Sequence, residues 1–219
     1  MTTRHQFDIA LDDLRQKIMQ LGGKVEQRIA QGLDSLTRQD MELANQVIVG
    51  DLEINDLQAE IEEQCMLLIA TQQPFARDLR RIVAGFKISI NLERIGDQAV
   101  DIAKTTLRIG TTPLIKPLID LPRMAEIVRH MISMGLQAYV EEDEVLARQM
   151  SQMDDSVDQL YKQIFRELLL LMIEDPKTIN QGTHLLFSAR FLERMGDYCT
   201  NVAEEAVYLV TGKRTDLNE

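Results

Sequence analysis

The segment LERIGDQAVDIA, from Leu92 to Ala103, returns as LERMGDYCTNVA from Leu192 to Ala203. Leu, Glu, Arg, Gly, Asp and the closing Ala recur at a constant offset of 100 residues. A chain that repeats itself at this distance uses one folding unit twice, and any fold assigned to it must accommodate both copies. The likeness extends upstream at an offset of 103: Asp40, Leu43, Ala44, Gln46, Asp51, Leu57 and Ile61 match Asp143, Leu146, Ala147, Gln149, Asp154, Leu160 and Ile164. Gly32 and Leu33 match Gly135 and Leu136 in the same way. The second copy is thus three residues shorter between these blocks, near TQQPFARD in one copy and EDPKTIN in the other.

The spacing of apolar residues gives the unit its architecture. Phe7, Leu11, Leu14, Ile18, Leu21 and Val25 step by four and three. So do Leu43, Val47, Gly50, Ile54, Leu57 and Ile61, and again Leu146, Met150, Met153, Val157, Leu160 and Ile164. This is the seam of helices packed nearly parallel or antiparallel, and strand alternation is absent. The stretch GTTPLIKPLIDLP carries prolines at 113, 117 and 122, which break a continuous helix and divide the chain almost in half. The reading is all-α, a tandem repeat of two three-helix bundles with six long helices. These span about 5–37, 40–72 and 75–108, then about 120–140, 143–173 and 177–211. Residues 1–110 form the first bundle, 111–122 the proline-containing linker and 123–219 the second bundle, each half expected to close a core of its own.

Charge narrows the function. Of 219 residues 35 are acidic and 24 are Lys or Arg, for a net charge of −11. Such a chain repels nucleic acid and anionic membrane and suits cations or a basic protein surface. The opening MTTRHQFDIALDDLRQ has no apolar h-region, and no apolar run approaches the roughly 20 residues of a spanning helix. Neither a signal peptide nor membrane insertion is expected. Cys65 and Cys199 lack CxxC spacing and read as buried thiols of a reducing cytosol, so the expected location is cytoplasmic.

On a helix, Glu93, Asp97 and Asp101 stand at i, i+4 and i+8; the second copy has Glu193, Asp197 and Asn201. The preceding helix of each half adds Asp51 and Asn55, then Asp154 and Asp158, so opposed rows bring four or five oxygens toward one another. Glu93 and Asp97 lie roughly 140° to 180° from the seam formed by Ile88, Leu92, Ile95, Ala99 and Ile102, on an outer face. Like carboxylates repel by about 1 kcal/mol at 4 Å in water, a cost that a cation or an arginine relieves. Arg94 and Arg194 are the arginines at hand. Oxygen-only ligands favour hard cations: magnesium, manganese or iron. His5, His130 and His184 fall outside the acidic rows, and the lack of any Glu-x-x-His argues against a di-iron carboxylate bundle site.

Catalytic signatures are missing. The GGK at Gly22 and the GKRT at Gly212 lack P-loop spacing, and no GxSxG, HExxH or dinucleotide fingerprint occurs. Outer helix faces offer no dry concave site, so no catalytic residue is assigned and the chain is not read as an enzyme. Arg77, Arg80, Arg81 and Lys87 read as solvated or paired to local acids such as Asp78, with a docking patch for an acidic partner as the alternative.

QQPFARDLRRI at 72–82, together with the two LER-x-GD segments and the tandem layout, resembles the PhoU family of bacterial phosphate-signalling proteins over nearly the whole chain. The resemblance implies two three-helix bundles whose Glu/Asp-x-x-x-Asp motifs bind divalent metal ions or multinuclear clusters. It places them at Asp51, Glu93 and Asp97 in the first half and at Asp154, Asp158, Glu193 and Asp197 in the second. The sequence departs from the family at Asn55, where aspartate is usual, and at Asp101, where asparagine is common, as at Asn201. The family implies a negative regulator of phosphate uptake and phosphate-starvation signalling. Its members contact the ATPase of the phosphate ABC transporter and the phosphate sensor histidine kinase, and many form homodimers. A metal-storage or redox carboxylate protein and a metal-free helical scaffold are the competing readings.

Overall fold

A computed structural model describes residues 3–217, with side chains from residue 5 onward. Regular structure among the described residues is entirely helical. In the first half α1 is Thr3–Arg38, α2 Met41–Val49, α3 Leu52–Gln72 and α4 Ala76–Ile109. In the second half α5 is Asp120–Glu141, α6 Glu144–Ser151, α7 Asp154–Glu174 and α8 Ile179–Thr211, with a 3-10 turn at Pro176–Thr178.

Each half has the three expected helical rods, but the middle rod is interrupted, between α2 and α3 and again between α6 and α7. In the first half a side chain caps the break. Arg28 of α1 donates to the backbone oxygen of Gly50 at 2.9 Å and to those of Gln46 and Val47 at 3.4 Å. Its guanidinium satisfies carbonyls that the end of α2 leaves open. A Cβ at Gly50 would meet that guanidinium, so the glycine lets the arginine lie close against the end of α2. The second half has Met153 at the same place and no such arginine.

The starts of the middle rods repeat faithfully. The Asp40 carboxylate accepts from the Leu43 N–H at 2.9 Å, and that of Asp143 accepts from the N–H groups of Val145 and Leu146 at 2.8 and 3.0 Å. Both are helix N-caps. The residue before each cap, Gln39 or Glu142, turns the chain with a positive φ of 53° or 54°.

Across the halves, α4 and α8 run antiparallel. Lys87 pairs with Glu205 at 2.9 Å, Asn91 accepts from Asn201 at 3.4 Å, and Arg94 lies over the ring of Tyr198, so one helix descends as the other rises. α1 packs on α4 and on α5, and α5 on α8. Most of the buried apolar side chains form one cluster that runs through both halves, from Leu14 and Ile18 through Ile88 and Leu92 to Leu192 and Met195, and Ala44, Val47 and Ala103 form a small second one.

The basic stretch at the start of α4 is not a free surface. Arg77 and Arg81 reach the Glu142 carboxylate in the other half, at 3.0 and 2.7 Å, and Arg15 of α1 joins them at 3.3 Å. Arg81 also pairs with Asp78, the local acid anticipated from sequence, and Arg80 donates to the Leu209 carbonyl. The linker is strapped down by amides: Gln39 donates to the carbonyls of Gly110 and Thr112, and Gln181 accepts from the Ile115 N–H. Lys116 is ion-paired to Glu167. Among the described residues no helix is long and apolar enough to cross a membrane.

Candidate functional site

The acidic rows face each other across the groove between the middle and last rods of each half. In the first half Asp51, at the head of α3, and Glu93, Asp97 and Asp101 of α4 border the groove. In the second, Asp154 and Asp158 of α7 oppose Glu193 and Asp197 of α8. The second groove is a cavity of about 440 Å³ lined by Ser151, Gln152, Asp154, Asp155, Asp158, Glu193, Asp197 and Leu217. Asp155 and the C-terminal Leu217 were not anticipated. Asp155 continues the acidic run of α7, whereas Leu217 arrives only by a chain return that periodicity does not encode.

The interruptions of the middle rods place these acids. Because α3 and α7 start afresh at residues 52 and 154, Asp51 and Asp154 stand at helix N-termini, where the backbone dipole favours negative charge. The repeated glycine of the motif lets the rods approach. A Cβ at Gly196 would strike the Asp154 carboxylate, and one at Gly96 would press on Ile54 at 3.2 Å.

The electrostatics are those of crowded carboxylates. Burial pushes Glu93 above its ordinary value, and Asp97 and Asp51 add to the rise. Asp97 is raised by burial and by Asp51 and Asp101. In the second groove, burial together with Asp197, Asp158 and Glu193 pushes Asp154 up to about 7. Glu193 and Asp197 are raised mainly by burial, against the opposing charge of Arg190.

Local cations offset part of the charge. Lys104 pairs with Asp101 at 2.9 Å, Lys162 with Asp158 at 3.0 Å, and Arg190 with Glu193. Asp101 is thereby engaged at the margin of its groove. Arg94 and Arg194 offset part of the charge on Glu93 and Asp197, as expected, and also lie against the Tyr198 ring, 5.8 and 6.0 Å from its centre, with Arg194 donating to its hydroxyl at 3.1 Å.

Three buried oxygens in these grooves lack any hydrogen-bond donor: Asp51 Oδ1, Asn55 Oδ1 and Glu193 Oε2. An orphaned oxygen among like charges is what a hard cation satisfies, and the donor set is the oxygen-only one that magnesium, manganese and iron accept. Among the described residues no group of three or more His, Cys, Asp or Glu side chains stands close enough to hold a metal ion, so the four or five oxygens expected to converge from opposed rows do not meet at one point.

The chain matches the PhoU domain model twice, over residues 18–106 and 121–206. It is 42% identical to the phosphate-specific transport system accessory protein PhoU homolog of Clostridium acetobutylicum, over 99% of this chain and 100% of that one. It is 38% identical to the homolog of the same name from Aquifex aeolicus, over 93% and 92% of the two chains. The crystal structure of PhoU from Pseudomonas aeruginosa superposes with a TM-score of 0.89 at 35% identity, covering 94% of this chain and all of that one. The phosphate transport system regulatory protein PhoU from Streptococcus pneumoniae gives 0.89 at 32% identity, covering 96% and 99%. Two domain matches that coincide with the two helical repeats, and full-length likeness in sequence and structure, make this chain a member of the PhoU family.

Proposed function

We propose that this protein is a cytoplasmic, non-catalytic accessory protein of phosphate-specific transport that restrains phosphate uptake and phosphate-starvation signalling. The observation that carries the reading is the full-length match to relatives named as accessory proteins of that transport system. Its partners on this reading are the transporter's ATPase and the phosphate sensor histidine kinase, and it works as a homodimer.

The two acidic grooves are its cation sites. Asp51, Glu93 and Asp97, with Asn55 alongside, would hold a divalent ion or cluster in the first half. Asp154, Asp158, Glu193 and Asp197 would do so in the second. The bound metal supplies charge that crowded carboxylates lack; the residues themselves set where α3 rests on α4 and α7 on α8, and hence the shape presented to a partner. Support comes from the raised carboxyls of both grooves and their orphaned oxygens.

Co-purification with the transporter ATPase, with and without manganese, tests both levels. Capture of the ATPase by the wild-type chain, weakened by Asp97→Asn plus Asp197→Asn, supports a metal-tuned adaptor. Undiminished capture by that variant would leave the metal-free scaffold. Failure to bind ATPase or kinase under any condition overturns the adaptor reading.

A further inference from the structure

The outward face of α7 carries an apolar stripe with no neighbour. Its core-facing residues are Val157, Leu160, Ile164 and Leu168, all buried. Directly opposite, Phe165, Leu169, Leu170 and Ile173 are 41%, 43%, 59% and 67% exposed. Side chains of this size on one helix face form a contiguous apolar patch of the kind that often marks an interaction site.

Two charges frame the stripe. Arg166 stands within it on the N-terminal side and Glu174 borders it on the C-terminal side, eight residues or about 12 Å further along the axis. Neither makes an ion pair among the described residues. Lys162 is engaged by Asp158, Glu167 by Lys116, and Asp175 caps the following turn through the Lys177 N–H. A helix that is positive at one end of an apolar stripe and negative at the other is complementary to itself when turned end for end.

The geometry points to α7 as the contact between two copies of this chain, packed antiparallel about a two-fold axis that passes between Leu169 and Leu170. In that arrangement Leu169 of one copy meets Leu170 of the other. Arg166 lies beside Ile173 and Glu174 of the second copy, and its mirror contact forms at the other end. The corresponding stretch of α3 has exposed Met66, Leu67 and Ile69 but no basic residue at any position of that helix, so it cannot pair with itself in this way. The inference rests on the dimeric reading above and gives it a surface. One helix face is a small interface, so association in the micromolar range is expected, with a dissociation constant on the order of 1–100 μM.

Sedimentation velocity of the full chain from low to high micromolar concentration tests it. The expected result is a concentration-dependent dimer whose dissociation constant rises at least tenfold in Leu170→Glu. Arg166→Glu and Glu174→Arg should each weaken it, and the double reversal Arg166→Glu/Glu174→Arg should restore it, because the pair re-forms with its signs exchanged. All these residues are exposed, and circular dichroism of each variant checks that its helices are intact. A chain that stays monomeric throughout overturns the dimeric reading and this surface together. A dimer indifferent to Leu170→Glu overturns the surface alone. Single reversals that weaken the dimer without rescue by the double one overturn the antiparallel arrangement.

Discussion

The two halves share a backbone plan and differ in how each equivalent position handles charge. At the turn before the middle rod, Gln39 uses its amide to hold the linker carbonyls of Gly110 and Thr112. Its counterpart Glu142 uses a carboxylate to gather Arg15, Arg77 and Arg81. In the grooves, Asn55 donates to Asp51 at 3.2 Å, whereas Asp158 faces Asp154 as a second acid. Duplication therefore conserved where the chain bends and caps, and freed the side chains at those points to become one linker strap, one clamp between halves, one mild groove and one strongly acidic groove.

The largest effect is expected at the clamp. Glu142→Ala leaves Arg77 and Arg81 facing each other across a vacated carboxylate and removes a tie between α4 and the end of α5. The loss should be about 2–3 kcal/mol in urea unfolding, below the figure for a fully buried pair because Arg77 is largely solvated. Gln39→Ala should cost only about 1 kcal/mol, as neutral hydrogen bonds do. Equal losses would mean that charge at this turn is irrelevant. Burial pushes the Glu142 carboxyl up, but hydrogen bonds and charge from Arg77 and Arg81 outweigh it and hold it below 4.5. Its contribution is therefore present above about pH 4.5 and lost as the pH falls through the depressed value. Glu142→Gln should remove that acid limb from the stability profile.

Asp154 has the opposite sign. Its folded value of about 7 lies above the ordinary 3.8, so its contribution is complete below about pH 4 and is lost as the pH rises through 7. In chelator-treated protein, Asp154→Asn should match wild type near pH 4 and exceed it at pH 8 by about 1–2 kcal/mol, allowing for solvent screening. Manganese should close that gap by stabilising the wild type. A gap that manganese leaves untouched would count against the second groove as a cation site.

Much of this plan was legible in the sequence. Four-three spacing gave six rods, and the recurrence of Asp40 as Asp143 marked two helix starts that are N-caps in the structure. The breaks at residues 50–51 and 152–153 were not legible, because the apolar seam counts straight through them. Gly50 sat in that seam as one more small residue, and the arginine that caps α2 lies on another helix. For the same reason Arg77 and Arg81 read as local: their partner is more than 60 residues away, on a turn whose identity differs between the copies. The acids are found because the motif repeats, and the cations they meet, Lys104, Lys162 and Arg190, stand three or four residues away on the same helices, where helical periodicity places partners.

The two motif glycines offer a sharper comparison. Gly196→Ala pushes the Asp154 carboxylate out of place and should weaken manganese binding in the second groove about tenfold, roughly 1.4 kcal/mol, with the first groove unaffected. Gly96→Ala presses on Ile54 instead, so overpacking should cost about 1 kcal/mol of stability while leaving cation affinity in place. Isothermal titration and urea unfolding of both variants separate the two effects. The same outcome for both would mean that the glycines serve only helix packing.

The smallest change converts one groove toward the other. Asn55→Asp replaces the amide that donates to Asp51 with a second carboxylate, so the hydrogen bond at 3.2 Å becomes a repulsion. Without metal this should cost about 0.5–1 kcal/mol, since the group is partly solvated. With metal the sign reverses: the first groove gains an anionic ligand where it had a neutral one, and its manganese affinity should rise several-fold toward that of the second. An unchanged affinity would show that the grooves differ in shape rather than charge. In that case the interruption at Gly50, fixed by Arg28 in the first half alone, is what distinguishes them, because it sets where Asp51 stands relative to Glu93 and Asp97.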